Sequence, residues 1–160
     1  IALQVKPEYC CIVPEKREEL TTEGGLDVAA HRDRLSDLIS ALKEKDIAVS
    51  LFVEPNSLII DIAAEIGASI IEIHTGHYAD KHGIQQQHEL ERIKHAAKHA
   101  IALGLTVNAG HGLHVGNVKP ISDIVGMNEL NIGHAIVSDS VFVGLSHAVY
   151  NMRHAMDGEA

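Results

Sequence analysis

The sequence predicts an α/β protein on the plan of an eight-stranded (β/α)8 TIM barrel, with residues 1–160 supplying about five βα units as a single domain. Three observations carry this. Strand and helix signals alternate along the whole chain, which calls for a parallel sheet with right-handed crossovers. Polar residues recur at alternate positions inside otherwise apolar strands. Two apolar runs, VNAGHGL at 107–113 and LNIGHAIV at 130–137, stop in Gly-His.

The elements follow in order. IALQVKPEY reads as the tail of a helix entering a strand, and YCCIV at 9–13 as that strand. After a polar loop, Val28, Leu35, Leu38, Ile39 and Leu42 mark an amphipathic helix. IAVSLFV at 47–53 is a buried strand. Asn56 is placed to cap a helix from Leu58 to Ile66 that stops at Gly67. SIIEIH at 69–74 is the third strand, followed by a polar loop and a long helix from about Gln85 to Leu103, ended by Gly104. Residues 105–109 form the fourth strand, 118–125 a short helix with Pro120 near its start, and 129–133 the fifth strand. Val141, Leu145, Val149, Met152 and Met156 have heptad-like spacing, read as a core-facing stripe on one closing helix.

Five strands also suit an open doubly wound sheet, and strand parity chooses between the two. Ser50, Glu72, Asn108 and Asn131 are polar residues within apolar strands. Helices on both faces of an open sheet would bury such groups at a few kcal/mol each unless they were paired. A barrel gives one face a lumen where polar groups meet each other and a ligand. A closed (β/α)8 barrel typically takes ~250 residues, so this reading covers the C-terminal five-eighths of a barrel and leaves two strand edges open.

Composition narrows the function. Apolar residues make up 46% and charged residues 22%, as in ordinary globular proteins. A net charge of −9 argues against nucleic acid as a partner. No apolar run approaches the ~20 residues of a membrane span and no signal peptide is visible, so no membrane partner and a cytoplasmic location are expected. Cys10 and Cys11 are adjacent, hence poor disulfide partners, and read as buried thiols. Among twelve histidines, His88, His95 and His99 share a helix, but no HExxH motif appears and a solvated helix face is the simpler reading, with no metal expected.

Four places can carry chemistry. His111, between Gly110 and Gly112 just after a strand, is an imidazole able to give or take a proton near neutral pH. Gly133-His134 stands where a strand turns toward a helix, a common place for phosphate in barrels. Glu72 is an ionisable group inside a strand, a candidate acid/base or electrostatic stabiliser, with His74 on the same face as its expected partner. The long segment VPEKREELTTEGGLDV at 13–28 offers Thr21 and Thr22 hydroxyls beside Gly24-Gly25, with Lys16 and Arg17 nearby, and reads either as a closure over an anion or as a solvated loop.

Taken together, VPEKREELTTEGGLDV, IIEIHTGHYAD, VNAGHGL with Asn117-Val118 following, and ELNIGHAIV resemble the pyridoxine 5′-phosphate synthase family, the ring-closing enzymes of bacterial vitamin B6 synthesis. The motifs lie in collinear order over nearly the whole chain. The resemblance implies a (β/α)8 barrel whose first three βα units precede the residues matched here, and a homo-oligomer, usually an octamer. It implies condensation of 3-amino-2-oxopropyl phosphate with 1-deoxy-D-xylulose 5-phosphate to pyridoxine 5′-phosphate, without metal or organic cofactor. By motif it makes His111 the proton donor and Glu72 a transition-state stabiliser. Gly112, Gly133 and His134 become contacts to the aminooxopropyl phosphate, and Thr21 a contact to the deoxyxylulose phosphate. The alternatives are another phosphate-binding barrel, an isomerase or aldolase, and a non-catalytic phosphate-binding subunit. An aldolase would want a Schiff-base lysine at a strand end, whereas the lysines here fall in loops and helices.

Overall fold

The computed structural model describes residues 1–15, 19, 21 and 24–158. Five strands form one parallel sheet in chain order: β1 Tyr9–Ile12, β2 Ala48–Val53, β3 Ile70–His74, β4 Thr106–Gly110 and β5 Met127–Asn131. The crossovers are α2 Arg32–Lys43 between β1 and β2, α3 Ser57–Glu65 between β2 and β3, and α5 Gly83–Ala102 between β3 and β4. A short α1, Ala2–Val5, leads into β1, as its sequence suggests. Neighbouring strands of consecutive number with intervening helices are the arrangement of a barrel wall, with β1 and β5 as the two edges.

Strand parity places the core. Val49, Leu51, Val53, Ile71, Ile73, Val107 and Ala109 point to one face, where they are fully buried under Ile39, Leu42, Ile60, Ile93 and Ala97 of the helices. The opposite face is a polar hollow that takes in Ser50, Glu72, Asn108, Asn128 and Asn131. The alternation of polar and apolar residues along each strand is thus a lumen face and a helix face.

Local signals hold at several ends. Asn56 caps α3, its side chain accepting the Leu58 N–H at 2.9 Å. Pro120 lies in the first turn of α6, Lys119–Ser122. The amphipathic helix after β1 begins at Arg32, later than the apolar spacing from Val28 suggests, because residues 28–31 form a turn although Val28 is buried.

Other expectations are corrected. The stretch after β3 is not simply a loop: Gly76–Asp80 forms a helix, α4, before α5 begins at Gly83. β5 starts two residues earlier than the apolar run, through a bulge opposite Val107 and Asn108, where the Asn128 amide donates to Asn108 Oδ1 at 2.9 Å. The closing helix is two helices, α7 His134–Val143 and α8 Leu145–Asp157, broken at Gly144 with φ 83°. The expected stripe therefore does not face the core: Val141, Leu145 and Val149 are exposed, and of the five residues only Met152 is fully buried. Nor are the cysteines buried thiols. Cys10 is half-buried and Cys11 is exposed on the lumen face of the edge strand.

Candidate active site

The carboxyl ends of β2, β3 and β4 each finish in or near an ionisable side chain: Glu54, His74 and His111. Beside them a cleft of about 830 Å³ opens at the end of the sheet. Its walls include Glu72, His111, Gly112, Asn131, Gly133 and His134, with Gly24 of the 13–28 segment and Phe52. Five of the six residues singled out in the sequence thus share one cavity. Thr21 does not line it, but its hydroxyl accepts the Gly24 N–H at 3.1 Å, so it shapes the segment that does. Lys16, Arg17 and Thr22 lie outside the described residues.

His111 is held by its backbone. It has φ 86°, a left-handed conformation that side-chain-bearing residues rarely adopt, and Gly112 follows with φ 75°. The Thr75 hydroxyl sits 2.7 Å from the Gly110 carbonyl and 2.6 Å from the His111 carbonyl, while the Thr75 N–H bonds Gly110 O at 2.9 Å. Downstream, Asn117 closes the turn. Its Oδ1 accepts the His114 N–H at 2.7 Å, its amide donates to Gly112 O at 3.2 Å, and its own carbonyl accepts the Tyr78 hydroxyl at 2.8 Å. The imidazole of His111 is exposed to the cleft, while hydrogen bonds hold the backbone that carries it.

Glu72 is bonded within the lumen by the Asn131 amide at 2.9 Å and the Cys11 thiol at 3.6 Å. Burial is the largest influence on it and raises its pKa above the ordinary glutamate value, with Glu129 adding to the rise. The bonds from Cys11 and Asn131 act in the opposite sense. The same neighbourhood pushes the Cys11 thiol up to about 11, first through burial and then through the charge of Glu72, so this thiol is a weak nucleophile.

The expected pairing of Glu72 with His74 is corrected. His74 Nδ1 lies 2.7 Å from Oε1 of Glu54, and both side chains are almost fully buried. β2 and β3 both end at this level, so the end of the neighbouring strand reaches His74 more directly than the interior of its own. Glu54 was missed by sequence reasoning. Its signal was an ionisable residue directly after an apolar strand and before Pro55, in the same strand-end position as His74 and His111.

Gly133 and His134 do not end a strand. β5 ends at Asn131, Gly133 is the N-cap of α7, and His134 is its first residue. The N-terminus of this ten-residue helix therefore opens into the cleft, with its free N–H groups and positive dipole end. Elsewhere, His99 pairs with Asp61 of α3 at 2.7 Å, and His95 is exposed. Among the described residues, no three His, Cys, Asp or Glu side chains converge as metal ligands, and no helix is long and apolar enough to cross a membrane.

Residues 1–158 match the family described as pyridoxal phosphate biosynthesis protein PdxJ. Curated relatives include pyridoxine 5′-phosphate synthase of Legionella pneumophila (strain Corby), 53% identical over 97% of this chain and 63% of its own length. Those of Synechococcus sp. (strain JA-2-3B'a(2-13)) and Coxiella burnetii (strain Dugway 5J108-111) are 53% and 52% identical over 98% of the chain, each covered to 66%. The chain thus spans less than two thirds of these relatives. Among solved structures, a mutant tryptophan synthase α-subunit from Pyrococcus furiosus shares the fold with a TM-score of 0.55 at 13% identity, over 98% of this chain and 57% of that one. The citrate synthase SbnG gives 0.54 at 16% identity, over 98% and 67%. These two likenesses speak to the α/β barrel-type fold alone.

Proposed function

This chain belongs to the PdxJ family of pyridoxal phosphate biosynthesis proteins, and from that premise we propose that it works in a pyridoxine 5′-phosphate synthase. The reaction is condensation of 3-amino-2-oxopropyl phosphate with 1-deoxy-D-xylulose 5-phosphate, giving pyridoxine 5′-phosphate, inorganic phosphate and two waters. The observation that carries the reading is the convergence of Glu72, His111, Gly112, Gly133 and His134 on one cleft at the carboxyl ends of the strands.

The chemistry is proton transfer around carbonyl carbons. The amine of one substrate adds to the ketone of the other, and water leaves to form an imine. Loss of water and of phosphate from the sugar-derived portion makes it electrophilic. Water adds back at the carbon that lost phosphate, and an aldol-like step closes the ring. The hydroxyl so formed leaves as water to make the ring aromatic, two waters being released net. His111, exposed at the cleft on a hydrogen-bonded turn, is suited to protonate departing oxygen. Glu72, with a raised pKa and two hydrogen-bond donors, is suited to stabilise charge that develops beside it. The Gly112 amide and the α7 N-terminus at Gly133 and His134 are suited to the phosphate of the amino ketone. Thr21, which shapes the turn at Gly24, is assigned to the sugar phosphate.

In the working enzyme the β1 and β5 edges are joined by three further strands, making these residues five-eighths of a closed barrel. The assembly is a homo-oligomer, an octamer, in the cytoplasm, as the family resemblance implies. The test is turnover. A protein of the relatives' length that carries this sequence forms pyridoxine 5′-phosphate and phosphate in equal amounts from the two substrates. Absence of the ring product with both substrates bound refutes the assignment.

A further inference from the structure

We propose that Glu54 and His74 are a positioning pair for His111, and that Glu54 ties this pair to the segment bearing Thr21. The inference rests on the reading of His111 as the proton donor and goes beyond it by assigning the two buried residues behind it.

The geometry is specific. Glu54 Oε1 accepts the Gly25 N–H at 2.8 Å and faces His74 Nδ1 at 2.7 Å. An ionised carboxylate only accepts, so with Glu54 in that form the bond takes its proton from Nδ1 of His74. Glu54 is 4% and His74 9% exposed, and Glu54 Oε2 has no hydrogen-bond partner among the described residues. A buried carboxylate half-satisfied in this way calls for a role beyond filling space.

Space around the pair is made by three glycines from two separate segments. A Cβ on Gly25 would meet Glu54 N at 2.7 Å, one on Gly24 would meet His74 Cε1 at 3.1 Å, and one on Gly76 would meet His74 Nε2 at 2.5 Å and His111 Cδ2 at 3.1 Å. Backbone of two separate segments thus comes close to the His74 ring. The His74 and His111 rings meet edge to face, with centroids 4.9 Å apart at 66°. Phe52 packs on both, at 5.1 Å from His74 and 6.5 Å from His111. No hydrogen bond holds the His111 ring among the described residues, so its orientation comes from these two rings. Orientation is worth much in catalysis, because small misplacements of a reacting group cost large factors in rate.

The test uses the protein of the relatives' length, and its readouts include ones that a purely structural role would not move. His74→Asn keeps an N–H toward Glu54 and removes the ring from His111. Glu54→Gln replaces the charged acceptor with a neutral one. Both are expected to lower kcat roughly 10- to 100-fold, to leave KM within about threefold, and to shift the ring resonances of His111 in 15N-histidine spectra. Normal kcat with unmoved His111 resonances in both variants overturns the proposal. If either variant fails to fold, the unmutated protein decides: the spectra show His74 protonated at Nδ1, and an Nε2–H tautomer overturns the proposal. His111→Ala separates the two readings. Retained turnover in that variant refutes the proton-donor assignment itself, whereas lost turnover beside a fully active His74→Asn refutes only the positioning pair.

Discussion

The hydroxyl of Thr75, the residue after β3, lies 2.6 Å from the backbone carbonyl of His111, the residue after β4. The same hydroxyl is 2.7 Å from Gly110 O. One buried side chain on a neighbouring strand end therefore braces the left-handed turn that presents the imidazole.

That brace predicts a clear outcome for Thr75→Val, which keeps the shape and removes the donor. The part-buried His111 carbonyl loses its hydroxyl donor while Gly110 O keeps the Thr75 N–H, so the variant should unfold at lower urea, by about 1 kcal/mol. Turnover should fall as the His111 turn loosens. Thr75→Ser should restore most of both. Valine with unchanged stability would show that the hydroxyl does not brace the turn.

Glu72 sets a stability trend with pH. Its folded pKa is raised, chiefly by burial, so the folded state holds its proton more tightly than the unfolded chain does. Its contribution is fully present below about pH 4.5, the ordinary value, and is lost as pH rises through the folded value. Glu72→Gln stays neutral throughout. In urea titrations from pH 4.5 to 8, the variant should gain on the parent as pH rises. A difference that stays flat or runs the other way would contradict the raised pKa.

Cys11 offers a chemical probe of the same lumen. With its pKa pushed up to about 11, it holds little thiolate at neutral pH. Alkylation by iodoacetamide at pH 7.5 should be slow although the residue is exposed, and Glu72→Gln should speed it by removing the nearby charge. Rapid modification in the parent protein would contradict this.

What the sequence revealed was set by local pattern. Polar residues at alternate strand positions placed Ser50, Glu72, Asn108 and Asn131 on the lumen face, because a strand has a strict two-residue period. Gly-His at 110–111 and 133–134 marked the cleft, because both places need unusual backbone or free amides. Contacts between distant segments were not legible. Sequence proximity pointed His74 to Glu72, whereas the fold brings Glu54 of another strand end to 2.7 Å. Helix α4 was hidden in a stretch that reads as a polar loop, yet its Gly76 lies against His74 and His111, and its Ala79 against Gly112. The apolar spacing from Val141 to Met156 suggested one buried seam, but a glycine at 144 breaks it into two helices whose shared period ends there.

The most direct test of the account is ring formation by a protein of the relatives' length bearing this sequence, compared with its His111→Ala variant. The parent should convert 3-amino-2-oxopropyl phosphate and 1-deoxy-D-xylulose 5-phosphate to pyridoxine 5′-phosphate. The variant should bind both substrates and turn over roughly 10²- to 10⁴-fold more slowly. A parent that makes no pyridoxine 5′-phosphate, or a variant as fast as the parent, would contradict it.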